Sequence, residues 1–212
     1  MQGGGPAYKL PLGRRDGLAP ASNAAVLAAL PPPTSKVPTL LSFLAKINLD
    51  VTDLVALSGG HTVGIAHCSS FDNRLFPTQD PTLNKFFAGQ LYRTCPTNAT
   101  VNTTANDVRT PNAFDNKYYF DLIAKQGLFK SDQGLINHPD TKRAATRFAL
   151  NQAAFFDQFA RSMVKMSQMD ILTGSAGEIR RNCSVRNTAL GDVSSSAQLE
   201  TTAGDEGLAA DA

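Results

Sequence analysis

Three histidines occur among the 212 residues, and one of them, His61, lies in the segment LSGGHTVGIAHC at residues 57–68. An imidazole can ligate a metal, transfer protons or form hydrogen bonds inside a core. Glycines lie on both sides of His61, which leaves a shallow apolar surface beside the ring. A flat cofactor could lie on that surface, but the same glycines would also permit close helix packing. These residues alone leave both interpretations open.

A second group of residues suits a hard cation. The segment TANDVRTPNAFDNK, residues 104–117, contains Asp107, Thr110 and Asp115. Calcium takes several oxygen ligands from carboxylates, hydroxyls and backbone carbonyls, and the carbonyl of Ala113 could join such a set. The spacing is not that of an EF-hand, so a polar turn with incidental aspartates explains the segment equally well.

The composition indicates a globular chain with a weakly charged surface. Hydrophobic residues make up 42% of the sequence, which suffices for a buried core. The net charge is +2 and charged residues make up 18%, so we expect neither a nucleic-acid nor a membrane partner. Residues 1–10 lack the charged flank and apolar run of a signal peptide. Either the chain is cytosolic or its first residue is not the native start.

The cysteines and glycosylation patterns favour an oxidising compartment. None of the three cysteines belongs to a C-x-x-C pair, so we expect neither a zinc site nor a thioredoxin motif. An odd cysteine count together with several N-x-[ST] triplets favours a secreted protein, and three reduced cytosolic thiols are the alternative. The triplets begin at Asn98, Asn102 and Asn182.

Helical periodicity dominates the chain and predicts one mainly α-helical domain with long polar loops. Thr52 is the expected N-cap of the helix that leads to His61. The first 38 residues are rich in Gly, Pro and Ala and are expected to be irregular, whereas the small, acidic last stretch, 194–212, is expected to be disordered. The predicted helical segments are residues 39–49, 52–61, 80–95, 115–127 and 138–172.

Five blocks occur in this order along the chain: GGPAYKLPLGRRDG, DLVALSGGHTVGIAHC, TPNAFDNKYYFDLI, QGLFKSDQGL and IRRNCSVRN. In order and spacing they resemble the plant secretory (class III) haem peroxidases, and the resemblance runs from Gly3 to Thr188. It implies a mainly α, haem-peroxidase-like helical fold. Residues 1–190 would form the proximal part of a haem peroxidase domain, and residues 191–212 a disordered acidic tail.

The resemblance makes His61 the axial ligand of haem b iron and makes Asp132, in KSDQ, the carboxylate that accepts a hydrogen bond from the other ring nitrogen. Without His61, the better interpretation of Asp132 would be an aspartate that caps the next turn. A carboxylate at that nitrogen gives the imidazole partial imidazolate character and lowers the reduction potential of the iron. Asn106 and Ser70 stand where relatives often carry a bulkier apolar side chain.

The resemblance also implies a calcium site, a substrate contact and a disulfide. Pro6 would lie at the haem edge where phenolic substrates dock, although a turn proline explains that residue equally well. Cys68 would pair with Cys95, and the partner of Cys183 would lie upstream of the first residue. The implied calcium ligands are Thr62, Asp107, Thr110, Ala113 and Asp115.

The distal side of the family's site has no counterpart in this sequence. Relatives carry an arginine and a histidine there, in a motif like R-x-x-F-H-D-C, and no such motif occurs here. Neither His67 nor His138 has a nearby arginine in that pattern. We therefore expect a fold truncated at the N-terminus, with the distal half missing and the isolated chain impaired.

The function implied by the resemblance is that of a haem-dependent peroxidase, which uses hydrogen peroxide to oxidise small phenolic donors and removes hydrogen peroxide under oxidative stress. Haem b and Ca²⁺ are the expected cofactors. The complete protein is expected to be monomeric and secreted, either extracellular or vacuolar. The alternative is a non-catalytic haem- or calcium-binding fragment. A non-haem hydrolase is disfavoured, because the chain has no G-x-S-x-G elbow and no Cys-His nucleophile setting.

Overall fold

The computed structural model describes residues 3–187, and the chain divides into two units. The first unit comprises Met1–Leu12 and Ser22–Asp170, and the second comprises Gly13–Ala21 and Ile171–Ala212. The helices of the first unit are α1 Asn23–Ala29, α2 Val37–Ala45, α3 Val51–Ser58, α4 Lys85–Thr94, α5 Lys117–Ile123, α6 Lys130–Asn137, α7 Pro139–Leu150 and α8 Gln152–Ser167. Its 3-10 helices are Gly59–Thr62, Cys68–Ser70 and Asp72–Arg74, and its strands are β1 Ile65–His67 and β2 Thr103–Ala105.

The mainly α fold confirms what the periodicity predicts. Two strands of three residues each are the regular β-structure in the first unit's described part. Between residues 3 and 187, none of the helices combines the length and the apolar character that crossing a bilayer requires.

Helix α3, which leads to His61, begins with a capping box. Asp50 Oδ1 accepts hydrogen bonds from the backbone N–H groups of Thr52 (2.8 Å) and Asp53 (2.9 Å). The carboxylate of Asp53 in turn accepts the N–H of Asp50 at 3.0 Å. The prediction of Thr52 as the N-cap is therefore wrong. The reason is that one carboxylate, two residues earlier, accepts two of the free N–H groups of the first turn.

The first 38 residues contain more helix than their composition predicts. Helix α1 forms in the segment NAAVLAA, with the Ser22 hydroxyl accepting the N–H of Ala25 at 3.2 Å. Alanine has the highest helix propensity, and this helix buries none of its residues, so local preference rather than packing accounts for it. Helix α2 also begins earlier than predicted, at Val37, because Pro38 fits the first helical turn.

The long helical stretch predicted over residues 138–172 is two helices, α7 and α8. Asn151 separates them in an extended conformation (φ −143°, ψ 94°), and its side chain accepts the N–H of Ala154 at 2.9 Å. Asparagine competes for backbone hydrogen bonds outside a helix, which favours it as a cap over a helix interior.

The main core lies between α3, α5, α7 and α8. Its centre is aromatic: the Tyr119 ring lies edge-to-face with Phe155 at 5.1 Å between centroids and tilted against Phe148 at 5.5 Å. All three side chains are fully buried. Tyr119 also donates its hydroxyl to the carbonyl of Val55 at 2.9 Å, which ties α5 to α3. This core supports the C-terminal end of α3, where His61 follows.

A smaller cluster surrounds a disulfide. Cys68 and Cys95 are bonded, with their Cα atoms 5.7 Å apart, which confirms the predicted pairing. Strands β1 and β2 pair antiparallel next to it, with Ile65 opposite Ala105. The pairing continues as a hydrogen bond from Asn106 N to Gly64 O at 3.1 Å. This ladder brings the oxygen-rich loop after β2 alongside the 3-10 helix that contains His61.

The second unit is described over residues 13–21 and 171–187. Asp16 and Glu178 form an isolated antiparallel bridge, and Arg15 Nη2 donates to the carbonyl of Gly177 at 3.1 Å. Cys183 is exposed and carries a free thiol. The predicted disordered tail, residues 191–212, lies outside the described residues.

Candidate functional site

His61 forms a hydrogen bond with a distant, buried carboxylate. Its Nδ1 atom lies 2.9 Å from Oδ1 of Asp132, which is on α6. The Asp132 side chain is 3% exposed, whereas the imidazole is 40% exposed. The structure therefore brings together the two residues that the sequence singled out, with the imidazole partly exposed to solvent.

Asp132 accepts two further hydrogen bonds, which offset the cost of burying its charge. Tyr118 donates its hydroxyl to Oδ1 at 2.8 Å, and the backbone N–H of Phe129 donates to Oδ2 at 2.9 Å. Asp132 thus caps the start of α6 and contacts His61 at the same time. Tyr118 was not picked out from the sequence, because a tyrosine inside the helical segment KYYF carries no local sign of such a partner.

Burial and the Asp132 charge together set the proton affinities of this cluster. Burial alone would lower the pKa of His61, but the adjacent Asp132 carboxylate outweighs it, so the pKa of His61 is raised. Burial raises the pKa of Tyr118 well above its usual value, and the Asp132 charge adds to that rise. Tyr118 therefore remains a hydroxyl donor throughout the neutral range.

Two aromatic rings fix the plane of the imidazole. The ring of Phe129 lies edge-on to it at 5.3 Å and 72°, and that of Tyr118 at 6.1 Å and 82°. The Nδ1 atom is engaged by Asp132, and among residues 3–187 no hydrogen bond to Nε2 is seen. An imidazole with one nitrogen held by a carboxylate and the other without a hydrogen-bond partner is the arrangement of a histidine that ligates a metal. These residues fit an axial ligand of haem iron.

The two glycines before His61 have different roles. A Cβ atom on Gly59 would collide with the Tyr119 hydroxyl and the Phe155 ring, so close packing requires this glycine. A Cβ on Gly60 would meet only Cε2 of Phe159, at 3.7 Å. Close packing thus explains Gly59, while Gly60 leaves space that packing does not use.

The oxygen-rich loop converges on Thr62, the residue after His61. The buried hydroxyl of Thr62 lies 3.0 Å from Asp107 Oδ2, 3.4 Å from the carbonyl of Ala113 and 3.4 Å from Asp115 Oδ1. The Thr110 hydroxyl lies 3.1 Å from the same Asp115 oxygen. A hydroxyl has one hydrogen to donate, so three acceptors around Thr62 exceed what it can satisfy. Such an excess of oxygen atoms fits a hard cation.

The donor set is mixed, and only two of its members are carboxylates. In the described part of the chain, no three His, Cys, Asp or Glu side chains are grouped so as to hold a metal ion by themselves. A site here would depend on the Thr62 and Thr110 hydroxyls and the Ala113 carbonyl as well. Oxygen ligands of that kind are typical of Ca²⁺ and not of zinc.

Asp121, which lies on α5, supports the oxygen-rich loop after β2. It accepts the N–H of Val108 at 2.9 Å, and Arg109 Nε donates to it at 2.7 Å. Burial raises the pKa of Asp121 to about 7; the Val108 N–H opposes this rise and the nearby Asp107 carboxylate adds to it. Neither Asp121 nor Arg109 was predicted, because their pairing depends on how α5 packs against the loop.

The other residues singled out in the sequence lie beside or away from the His61–Asp132 pair and the oxygen-rich loop. Pro6 is half-buried. Its segment is held to the oxygen-rich loop after β2 by a hydrogen bond from Phe114 N to Gly3 O. His67 is exposed on β1, and His138 accepts the N–H of Asp140 at the start of α7. The side-chain oxygen of Asn106 is buried and has no hydrogen-bond partner within residues 3–187.

Two cavities of the first unit lie away from His61. One of about 900 Å³ is lined by residues 45–50 and the end of α8. Another of about 680 Å³ is lined by residues 78–82, the start of α2 and one side of α6. His61 lines neither of these two cavities.

Comparison with known proteins shows the family to which the chain belongs. The family model described as "Peroxidase" matches residues 1–151. The chain is 61% identical to "Cationic peroxidase SPC4" of Sorghum bicolor over 88% of its own length and 51% of the relative's. It is 57% identical to "Peroxidase 12" of Arabidopsis thaliana (87% and 52%) and 60% identical to "Peroxidase 2" of Hordeum vulgare (70% and 89%). The chain spans about half the length of the first two relatives. The chain belongs to the peroxidase family and groups with its plant class III members.

Proposed function

We propose that the chain forms the proximal part of a haem peroxidase domain, over residues 1–190, and that His61 is the axial ligand of haem b iron. The observation that carries this proposal is the 2.9 Å hydrogen bond between His61 Nδ1 and Asp132, which leaves Nε2 as the free ligand atom on a half-exposed ring. Membership of the peroxidase family supports the identity of the metal group.

When bound, haem b supplies the reduction of hydrogen peroxide and the one-electron oxidation of small phenolic donors. The role of Asp132 is to hold the proton at Nδ1, which increases electron donation from Nε2. Tyr118 and Phe129 hold the Asp132 carboxylate in place through their hydroxyl and backbone N–H. Pro6 is proposed to contact the phenolic donor at the haem edge.

We further propose that Ca²⁺ binds between the 3-10 helix and the loop after β2. Its ligands would be oxygen atoms of Thr62, Asp107, Thr110, Ala113 and Asp115, whose crowding around the Thr62 hydroxyl supports the proposal. Thr62 is bonded directly to His61, so a cation held there stabilises the backbone that orients the imidazole.

The chain contains no sequence that matches the family's distal acid–base pair. We therefore propose that these 212 residues alone bind haem but cleave peroxide slowly, because general acid–base catalysis contributes about 10²–10⁴-fold to such a step. In the complete protein, we propose removal of hydrogen peroxide with phenolic donors by a monomer that is extracellular or vacuolar.

Haemin titration of the full chain tests the ligand assignment. The wild-type chain should give a Soret band typical of histidine-ligated haem. His61→Ala should lose that band and regain it with added imidazole, whereas His67→Ala, which changes an exposed histidine on β1, should behave as wild type. A His61→Ala variant with the wild-type spectrum would sink the proposal.

The second candidate function is a haem- or calcium-binding fragment without turnover, and the missing distal motif favours it. Peroxide-driven oxidation of guaiacol by the haemin-loaded chain separates the two. Turnover above that of free haemin, and lost in His61→Ala, identifies an enzyme. Haemin binding with no such turnover identifies the fragment.

A further inference from the structure

Arg74 belongs to none of the ligand sets above, yet it is one of the most deeply buried side chains of the first unit. It ends the 3-10 helix Asp72–Arg74 and is 1% exposed. A buried guanidinium is unfavourable unless acceptors surround it. Nε donates to Asp80 Oδ2 at 3.1 Å and Nη2 donates to the Thr82 hydroxyl at 3.1 Å. Asp80 therefore neutralises the charge of Arg74 locally.

The remaining nitrogen of Arg74 faces three consecutive backbone carbonyls. Nη1 donates to the carbonyl of Gly127, and it lies 3.2 Å from that of Leu128 and 3.3 Å from that of Phe129. A planar guanidinium can serve acceptors in several directions, which the single ammonium of a lysine cannot do at once. Arg74 thus holds the second half of the connection between α5 and α6, residues 127–129, in one conformation.

This connection contributes directly to the surroundings of His61. Phe129 donates its N–H to Asp132 Oδ2 at 2.9 Å, and its ring lies 5.3 Å from the imidazole. Gly127 donates its N–H to the side chain of Gln133 at 3.2 Å, next to Asp132 in α6. A shift of residues 127–129 would therefore move both the carboxylate and the ring that borders the imidazole.

We propose that Arg74 is a positioning residue for the His61–Asp132 pair, acting through the three carbonyls of residues 127–129. Asp80 is the ion-pair partner of Arg74, with Nε 3.1 Å from Oδ2, and the contacts of Arg74 with residues 127–129 are made through the backbone carbonyls. The consequence for an iron ligand rests on the proposed function, but the placement of Phe129 and Asp132 is a property of the chain itself.

Amide hydrogen exchange in the full chain tests the placement without haem. Arg74→Lys keeps the charge opposite Asp80 and removes the bonds to several carbonyls. The Phe129 N–H should exchange about tenfold faster or more, the loss expected for a hydrogen bond to a charged group. Tyr92→Phe is the matched control, since it removes the hydrogen bond from the Tyr92 hydroxyl to Leu75 O (2.6 Å) beside Arg74 and leaves those to residues 127–129 intact. Unchanged exchange at Phe129 in Arg74→Lys would overturn the proposal.

The iron–histidine stretching frequency of the haemin-loaded, reduced chain is the second measurement. A merely structural role would leave it at the wild-type value, as we expect for Tyr92→Phe, whereas Arg74→Lys should lower it by weakening the hold of Asp132 on Nδ1. Faster exchange at Phe129 with an unchanged frequency would also overturn the proposal. If the wild-type chain shows no such band, the proposed function fails and exchange at Phe129 alone decides the role of Arg74.

Should Arg74→Lys not fold, native-state exchange of the wild-type chain at low denaturant gives the answer. The Phe129 amide should open in the same cooperative unit as the amides of Arg74 and Leu75. Opening together with the amides in the middle of α6, and not with Arg74, would contradict the proposal.

Discussion

Asp132 is shared by three donors at the scale of single residues, and each donor comes from a different element. His61 lies in a 3-10 helix, Tyr118 in α5, and Phe129 just before α6. A carboxylate with three hydrogen bonds has little rotational freedom, so the position of Nδ1 is closely defined. Any substitution at position 132 should therefore change the properties of the imidazole as well as the packing.

Asp132→Asn should weaken the function of His61 as a ligand. A neutral amide does not give the ring imidazolate character, so the reduction potential of bound haem should rise. Haemin affinity or activity should fall about 10–100-fold. Redox titration of the haemin-loaded chain measures the first effect. Asp140→Asn, which alters the carboxylate 3.8 Å from His138, is the control and should change neither property. An unaltered potential in Asp132→Asn would contradict the assignment.

Gly59→Ala should destabilise the first unit, because its Cβ has no space between Tyr119 and Phe155. Overpacking of this kind typically costs about 1–3 kcal/mol in the free energy of unfolding. Urea denaturation measures it. Gly60→Ala is the matched control: its Cβ meets only the Phe159 ring at van der Waals distance, so it should be close to neutral. Equal effects at the two positions would argue against packing as the reason for Gly59.

At the scale of elements, a buried carboxylate joins α3 to α8. Asp53 has no exposed surface and accepts hydrogen bonds from Ser162 Oγ at 2.6 Å, Lys165 Nζ at 2.6 Å and Gln158 Nε2 at 3.2 Å. Burial would raise the pKa of Asp53, but the bonds to Lys165, Ser162 and the Asp50 N–H outweigh it and lower the pKa. The ionised carboxylate is therefore the form that holds these helices together.

Asp53→Asn should destabilise the chain by about 1.5–3 kcal/mol at pH 7, the usual range for a hydrogen bond to a charged group. A lowered pKa in the folded state contributes stability above the ordinary value of 3.8, and this is lost as the pH falls through the folded value. The difference between wild type and Asp53→Asn in urea denaturation should thus shrink from pH 7 to pH 3. Asp157→Asn, exposed on α8, is the control. A difference independent of pH would contradict an ionised Asp53.

At the scale of the whole molecule, the two candidate sites adjoin through one peptide bond. His61 faces α6, whereas Thr62 faces the loop after β2, and the β1–β2 ladder holds that loop in register. Binding of a cation on one side should therefore affect the ligand on the other.

Calcium should raise the stability of the chain and its affinity for haemin together. At about 100 times the dissociation constant, a ligand that binds only the folded state contributes about 2.7 kcal/mol. Asp115→Asn should lose most of this gain, while Asp72→Asn, outside the loop, should keep it. Thermal unfolding and haemin titration with CaCl₂ or EDTA measure both quantities. If EDTA leaves the haemin affinity of the wild-type chain unchanged, calcium binding and haemin binding are not coupled.

The sequence by itself determined the secondary structure where it depends on residues close along the chain. Helical periodicity predicted the mainly α fold, because side chains three and four residues apart share one helix face. The resemblance to the family predicted the Cys68–Cys95 pair, which the structure confirms, and the hydrogen bond between His61 and Asp132. Boundaries were less predictable: Asp50 in place of Thr52 caps α3, and Asn151 divides the last long stretch. The position of a cap depends on which of several nearby polar side chains is placed to accept the free N–H groups.

Only the tertiary structure decided how distant residues combine where no family motif pairs them. The resemblance already paired His61 with Asp132, 71 residues away, whereas nothing in the sequence indicated the contact of Asp53 with Ser162, 109 residues away, or of Arg74 with carbonyls more than 50 residues away. Whether an aspartate merely caps a turn or also holds an imidazole depends on how two elements pack. Packing is a property of the whole chain, since each contact becomes favourable only when the rest of the core brings its partners together.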